Sequence, residues 1–599
     1  MGSRAHRWKT HTIASLTSVG AAVVLLGSIV APASFVGCSN ALPAPLAAES
    51  PADAAPRRGG ILRMSSFGDI RGLDPANISD GLVSTLNQLL YAGLVDFDAH
   101  GAVVPRLAER FELSSDGLTY RFFLRKGVLF HDGTELGADD IKRTIERALH
   151  PSAPNPYASF YASIRGYDAY AAKKTESLEG VRVEGSHVVT ITLVEPDATF
   201  LPLLAMQALR PVCKSAGARF TDTFHPCGAG PFKLPEGGWV RGQSVTLTRH
   251  DGYFEPGKPY LDGVVFTFGV TLSAAKYKLL HGELDTLRDL THGDILAFQN
   301  DPRWASLGAY DRERQIMGEA MNTELPPFDN VEVRRAVAAA VDRRHYELVK
   351  PTTLRAANQP IPPGTPGFDS SVKGQEYDLA AALEHMKRAG YPYNPETKTG
   401  GYPSTIPYYT YRQGVSEYTA QVFAQEVAKI GLRIELRLVN YPTYLAQMGR
   451  RGKVPVGPWG WSEDYPDAID FLESLFHTKG IADEDANNVS FYTSPSFDRL
   501  VDSAKRELDP ERRKDLVSRA VAKLVEDAPF VFAYSVRFFD VHQAYVRNYH
   551  QHPVWARDVS FAWLDRTRAN ETLRPSSAQH ASLSPHRSAL GSVLSAVGR

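Results

Sequence analysis

Cysteine is nearly missing from this chain of 599 residues: only Cys38, Cys213 and Cys227 occur. No C-x-x-C, H-E-x-x-H or G-x-S-x-G pattern is present, so the usual sequence signs of a redox, zinc-hydrolase or serine-hydrolase centre are missing. The 18 histidines are scattered, and His131, His225 and His281 fall in turns. Charge of one sign is missing too. Sixty-six basic residues face 67 acidic ones, a formal charge of −1, which gives no reason to expect nucleic acid or an anionic membrane as partner. Beyond the N-terminus, no segment approaches the ~20 apolar residues of a membrane helix. No internal repeat is present. What remains is an ordinary globular composition, 43% hydrophobic and 22% charged, in a chain too long for one core.

The N-terminus reads as an address. Arg4, His6, Arg7 and Lys9 form a basic region, and Gly20 to Val30 is an apolar run of secretory-signal length. Two exits follow. Ala31-Pro32-Ala33 fits an A-x-A cleavage site, which releases a soluble protein. Phe35-Val36-Gly37-Cys38 resembles a lipobox, which leaves Cys38 lipidated, although Phe35 stands where leucine is usual. Either exit gives an exported protein, in the periplasm or cell envelope, that touches the membrane only through a lipid. In that oxidising compartment Cys213 and Cys227 either pair across a short loop, worth about 3 kcal/mol, or remain buried thiols.

Residues 39–56 are rich in Ala and Pro and read as a tether, and 573–599 read as a disordered tail. Between them strands and helices alternate. Val189, Ile191 and Leu193, and Val245 and Leu247, have strand period; Val264 to Phe268 is a short apolar strand. Val333, Ala336, Val337, Ala340 and Val341 form a helical stripe. Leu379, Leu383 and Met386 form another, opened by Asp378 and stopped by Gly390. Val422, Phe423, Val427 and Ile430 precede Gly431, after which Ile434, Leu436 and Leu438 alternate. Asp509-Pro510 opens a helix continued by Val517, Val521 and Leu524. This interleaving predicts α/β lobes.

Pro105 to Leu149 concentrates the pattern. Tyr120, Phe122 and Leu124 alternate as a strand; His131-Asp132-Gly133 is a turn; Ile141, Ile145, Ala148 and Leu149 follow at helical spacing, with Asp139 and Asp140 in the first turn. The order LAE–DG–T–FxLRKGVxFHDGTxLxADDI closely resembles the family 5 solute-binding proteins, receptors of peptide and nickel ABC importers. Other blocks repeat the likeness in order. They include Leu73-Asp74-Pro75, Gly228 to Phe232, Gly257 to Asp262, Gly282 to Asp285, Pro326 to Asp329 with Val333 to Ala336, and Ile361 to Gly364.

The resemblance implies an α/β, two-lobed periplasmic binding protein fold of the class II type, with the extra subdomain of the peptide-binding group. On that reading 1–38 is the signal peptide. Lobe 1 is 57–96 with 206–268 and 533–572, the extra subdomain is 97–205, and lobe 2 is 269–532. The hinge lies at Phe268-Gly269, with the return near Pro529 to Tyr534. A monomer is expected, without cofactor or metal, serving a membrane permease. Arg125, His131 and Asp132 read as scaffold.

The resemblance also implies a site. Trp459 to Asp467 (WGWSEDYPD) follows a strand where ligands commonly sit in open sheets. In peptide-binding members the matching segment supplies an aspartate to the ligand's α-amino group; here that is Asp464. A carboxylate in a closing cleft suits an ammonium because both charges are paired as they lose water. Trp461, Trp459 and Tyr465 would contact the ligand; alternatively both Trp are core. Glu463 and Asp467 read more simply as solvated. Asn487 offers an amide or a turn cap, and Arg412 is a candidate for a ligand carboxylate. The ligand expected is a di- or oligopeptide. Rival readings are an oligosaccharide, nickel chelate or haem in the same receptor class, a receptor that signals or scavenges without a transporter, and, remotely, a periplasmic hydrolase.

Overall fold

The computed structural model describes residues 55–77, 81–153, 155–216, 224–288, 290–412 and 414–568. The signal peptide, Cys38, most of the tether and the 573–599 tail lie outside them. Among the described residues no helix is long and apolar enough to cross a membrane.

The strand read at Tyr120–Leu124 is Thr119–Leu124, with Tyr120, Phe122 and Leu124 buried and Arg121 exposed. It pairs antiparallel with Ala108–Leu113 and Val188–Thr192, and Val181–Val183 completes a four-stranded sheet. Helix Ala138–Leu149 covers it, burying Ile141, Ile145, Ala148 and Leu149; the Asp140 carboxylate accepts from Gly137 N–H at 3.1 Å. A second sheet is built on Ile61–Ser65, parallel to Gly263–Thr267, which pairs antiparallel with Ser244–Arg249. Leu62, Met64, Phe122 and Ile145 belong to one apolar core, so the 97–205 segment and this second sheet are packed as one body. The Gly228–Phe232 block threads beneath helix Gly81–Leu90, where a Cβ on Gly230 would stand 2.4 Å from the Leu90 carbonyl carbon. Glycine is required there by close approach rather than by φ. Cys213 and Cys227 are bonded, Cα to Cα 5.4 Å.

The other large body is a six-stranded mixed sheet in the order Leu354–Ala356, Phe530–Val536, Gln315–Met321, Val456–Ser462, Thr405–Tyr411, Arg433–Val439. Its faces bury separate cores. Helices Ala468–Phe476, Pro495–Arg506 and Pro510–Asp527 supply Phe471, Leu472, Val501, Val517 and Leu524 to one. Helices Val331–Ala340, Leu379–Arg388 and Ser416–Ala428 supply Val337, Met386, Phe423 and Val427 to the other. The expected caps are in place: Asp378 and Asp509 accept from the third residue after each, both at 2.9 Å. Arg433–Val439 is an edge strand, so Ile434 and Leu436 are half-buried and Leu438 is exposed.

Between the two bodies the chain takes a route that the sequence reading did not foresee. After Phe268-Gly269 it does not enter the six-stranded sheet. It first forms helices Leu272–Leu280 and His292–Asn300 and a small sheet of Thr286–Leu287, Phe539–His542 and Gly308–Tyr310. Asp285 binds this unit back to the first body, its N–H donating to the Arg63 carbonyl at 2.9 Å. Phe268 lies in the first body's core and donates to the Gln243 carbonyl. The chain reaches the six-stranded sheet only at Gln315 and leaves it after Val536, so Phe530–Val536 is a strand of that sheet rather than a return. The crossings run side by side: Phe538 N–H donates to the Asp311 carboxylate at 2.6 Å, and Asp311 N–H to the Phe538 carbonyl at 2.9 Å. A strand ending in glycine looked like an exit because the small sheet draws its middle strand from residues 539–542, beyond the reach of any local pattern.

Candidate functional site

A cavity of about 530 Å³ lies where these bodies meet. The first body contributes Ser65 and Ser66 at the end of Ile61–Ser65, Ser84 and Thr85 in the first turns of Gly81–Leu90, and the aromatic rings of Tyr157, Phe160 and Tyr161. The crossing contributes Asp311, Arg312 and Arg314. The opposite wall is Ser462 to Tyr465, and Val554, Trp555 and Arg557 close the end.

Strand alternation decides what the WGWSEDYPD segment presents. Trp459 and Trp461 pair with Gly318 and Ile316 and pack against the second body's core; neither indole lines the cavity. The expectation that they contact ligand is therefore corrected. Ser462 and the residues beyond the strand end face inward instead. Tyr465 is 3% exposed and crosses the gap, its ring centroid 5.7 Å from that of Phe160 in T-shaped contact.

Asp464 lines the cavity and its carboxylate makes no ion pair among the described residues; its backbone N–H donates to Asp470 at 2.7 Å. Burial, and then the adjacent Glu463 charge, hold its carboxyl well above the usual carboxylate range. Burial also pushes Asp470 up, with Asp464 adding to it. Glu463 and Asp467 are not solvated, contrary to expectation. The Glu463 side chain is buried, paired with Arg312 and accepting from Thr365 at 3.1 Å. Asp467 caps helix Ala468–Phe476 through Ile469 N–H at 2.8 Å and binds Arg513 at 2.7 Å.

Two expected site residues lie elsewhere. Arg412 keeps 78% of its side chain exposed beside Glu417, and Asn487 is exposed; neither lines the cavity. Its neighbour Asn488 is the buried amide, donating to the Tyr492 carbonyl at 3.0 Å as part of a turn. Sequence reasoning missed the cavity's guanidinium groups, Arg288, Arg312, Arg314 and Arg557, and the Trp555 wall. Arg312 and Arg314 belong to the run Asp311-Arg312-Glu313-Arg314, which reads as a solvated loop until the 550–558 hairpin covers it. Arg312 Nε donates to the Pro553 carbonyl and Arg314 Nη1 to that of Val554, each at 2.6 Å.

Two α/β lobes joined by adjacent crossings, with a cavity between them, define a two-lobed solute-binding protein. The model of bacterial extracellular solute-binding proteins, family 5 (middle region), matches residues 102–483, and the chain belongs to that family. Heme-binding protein A of Haemophilus influenzae is 28% identical over 501 residues, 80% of this chain and 88% of that one. Di/tripeptide-binding protein 1 of Pseudomonas aeruginosa is 28% identical over 487 residues, 78% and 87%. Among solved structures, periplasmic binding protein DppA from Helicobacter pylori, in complex with peptide STSA, superposes with a TM-score of 0.68 at 25% identity, covering 85% of this chain and 98% of that one.

Proposed function

We propose that this protein is the extracytoplasmic receptor of an ABC importer, that it encloses a short peptide between its lobes, and that it delivers the peptide to a membrane permease. The observation carrying this is Asp464: a desolvated carboxylate with no cation among the described residues, at the wall of an aromatic-lined cavity. An α-ammonium supplies the missing charge. The peptide-bound and di/tripeptide-binding relatives support the same ligand class. An oligosaccharide receptor would want its Trp pair as stacking platforms, and Trp459 and Trp461 are turned into the lobe. The hinge of this reading is 311–314 with 537–538, replacing Phe268-Gly269. Export runs through the N-terminal apolar segment, with anchoring at Cys38 or release after Ala33, and the receptor acts as a monomer.

The test is a thermal-shift and calorimetry screen against mixed di- to pentapeptides, with Asp464→Asn in parallel. A peptide at 100-fold excess over its Kd will stabilise the native state by about 2.7 kcal/mol. Asp464→Asn will weaken binding roughly 30-fold, about 2 kcal/mol for one lost partner of a buried charge pair. Equal affinity in the variant would refute the amine anchor. No response to any peptide, in protein that melts cooperatively, would refute the ligand class.

A further inference from the structure

A second cavity, of about 290 Å³, lies inside the first body. It adjoins the inter-lobe cavity, because three stretches of chain pass from one lining to the other within a few residues. Ser84 and Thr85 line the large cavity, and Gln88, one turn further along the same helix, lines the small one. Ala208 lines the first and Arg210 the second. In the 550–558 hairpin, Val554 and Arg557 line the first, and His552 and Asp558 the second. Trp555 is the one residue among those described that lines both. It is 6% exposed and held by two neighbours. The Phe97 ring meets it edge-on, centroids 5.6 Å apart, and the Arg210 guanidinium lies 5.1 Å from its ring centre.

The small cavity carries more acid than base. Its two arginines are already taken, Arg210 by Asp96 at 3.2 Å and Arg106 by Glu255. Asp98 and Asp558 make no ion pair among the described residues. Asp98 accepts from His100 and Ala102 N–H at 2.8 and 2.9 Å, and Asp558 from Ser560 N–H at 2.8 Å. The His552 ring accepts Val554 N–H at 3.1 Å, and burial holds its pKa below the usual range, so it adds no positive charge near neutral pH. Tyr91, Tyr253 and Phe561 complete the lining with aromatic surface.

We propose that Trp555 is a partition that sets the upper size of the ligand, and that the cavity behind it is a latent subsite for a long cationic group. Carboxylates beside aromatic faces suit an ammonium or guanidinium. With the indole in place, that space is closed to anything held between the lobes. A smaller side chain at 555 joins the two cavities, and a lysine stem then spans the gap with its head toward Asp98 and Asp558. An uncharged stem of the same length gains only the space. This inference rests on the peptide reading and names which side chains the receptor refuses.

The experiment uses the full chain and trialanine in which each position in turn carries lysine or norleucine. Affinities are measured by calorimetry on the unaltered protein and on Trp555→Ala, after circular dichroism melting has shown that the variant is folded. At one position the affinity for lysine relative to alanine will rise at least about tenfold in Trp555→Ala, and that for norleucine will rise less. Adding Asp558→Asn to Trp555→Ala will lower the lysine ratio and spare that of norleucine. Trp555→Leu, which shortens the wall but keeps an apolar filler, serves if the alanine variant does not melt cooperatively. Unchanged ratios at all three positions in a folded variant overturn the partition. Equal gains for lysine and norleucine overturn the cationic subsite. No binding of any tripeptide to the unaltered protein overturns the peptide reading itself, and this one with it.

Discussion

Asp285→Ala will destabilise the protein by about 3 kcal/mol, read as a lower midpoint in urea unfolding. Asp285 is fully buried, and its two oxygens accept four hydrogen bonds: from Arg63 N–H at 2.6 Å, Arg63 Nε at 3.2 Å, Arg63 Nη2 at 2.6 Å and the Tyr545 hydroxyl at 2.7 Å. Its own backbone is paired as well, since its carbonyl accepts Gln543 N–H at 2.9 Å. Two distant stretches of chain converge on this one side chain. Removal leaves a buried phenol and a backbone N–H without acceptors and a guanidinium without its counter-charge. Arg63 is about one-third exposed and can turn to water, which keeps the cost at the lower end of the range for broken buried pairs. Asp285→Asn will cost less, because an amide oxygen still accepts. A loss below about 1 kcal/mol for the alanine variant would mean that the small sheet is held by its apolar core alone.

Glu319→Gln will remove a fall in stability between pH 5 and pH 7.5. Glu319 sits on Gln315–Met321, 1% exposed, and accepts from the hydroxyls of Tyr346, at 3.0 Å, and Tyr408. Burial raises its carboxyl from 4.5 to about 7, only partly opposed by the two hydroxyls. The unfolded chain gives up this proton near 4.5 and the folded protein only near 7. The folded state therefore binds the extra proton between those values, and stability declines as pH rises through them. The gap is worth about 3 kcal/mol, fully present as stabilisation below 4.5 and lost above 7. Glutamine has no proton to lose. Urea midpoints of the two proteins will be similar at pH 5 and will separate at pH 7.5, with the variant higher. Parallel profiles would refute the assignment. The comparison cancels the other raised carboxyls, Asp464 and Asp470 among them, because both proteins carry them.

The fold was legible where local rules act. Period two placed Tyr120, Phe122 and Leu124 inward, and a capping carboxylate followed by an apolar stripe marked the helices after Asp378 and Asp509. What failed was long-range. Asp467 looked like a loop residue, yet its partner Arg513 lies 46 positions away. Asp285 was read as part of a block, but nothing near it announces Arg63, 222 positions earlier. The site was half legible. Asp464 and Tyr465, expected at the ligand, line the cavity. Trp459 and Trp461 were misjudged because an aromatic pair beside acids suggests a cleft, whereas alternation along Val456–Ser462 turns both toward the face shared with Ile316. Arg314 could not be found from sequence, since its burial is created by a hairpin 240 positions later.

The single apolar core shared by the 97–205 segment and the Ile61–Ser65 sheet bears on how this receptor could change over evolutionary time. Tyr157, Phe160 and Tyr161 come from that segment, so part of the cavity wall is fixed to the same block as the sheet below it. Excising the segment would take Phe122, Ile141 and Ile145 out of a core they share with that sheet rather than yield a smaller receptor. Substitutions at Tyr157 and Phe160, which only pack against that core, by contrast can reshape the pocket while every strand of that block stays where it is. A lineage could alter these few side chains and leave the crossings between the lobes untouched.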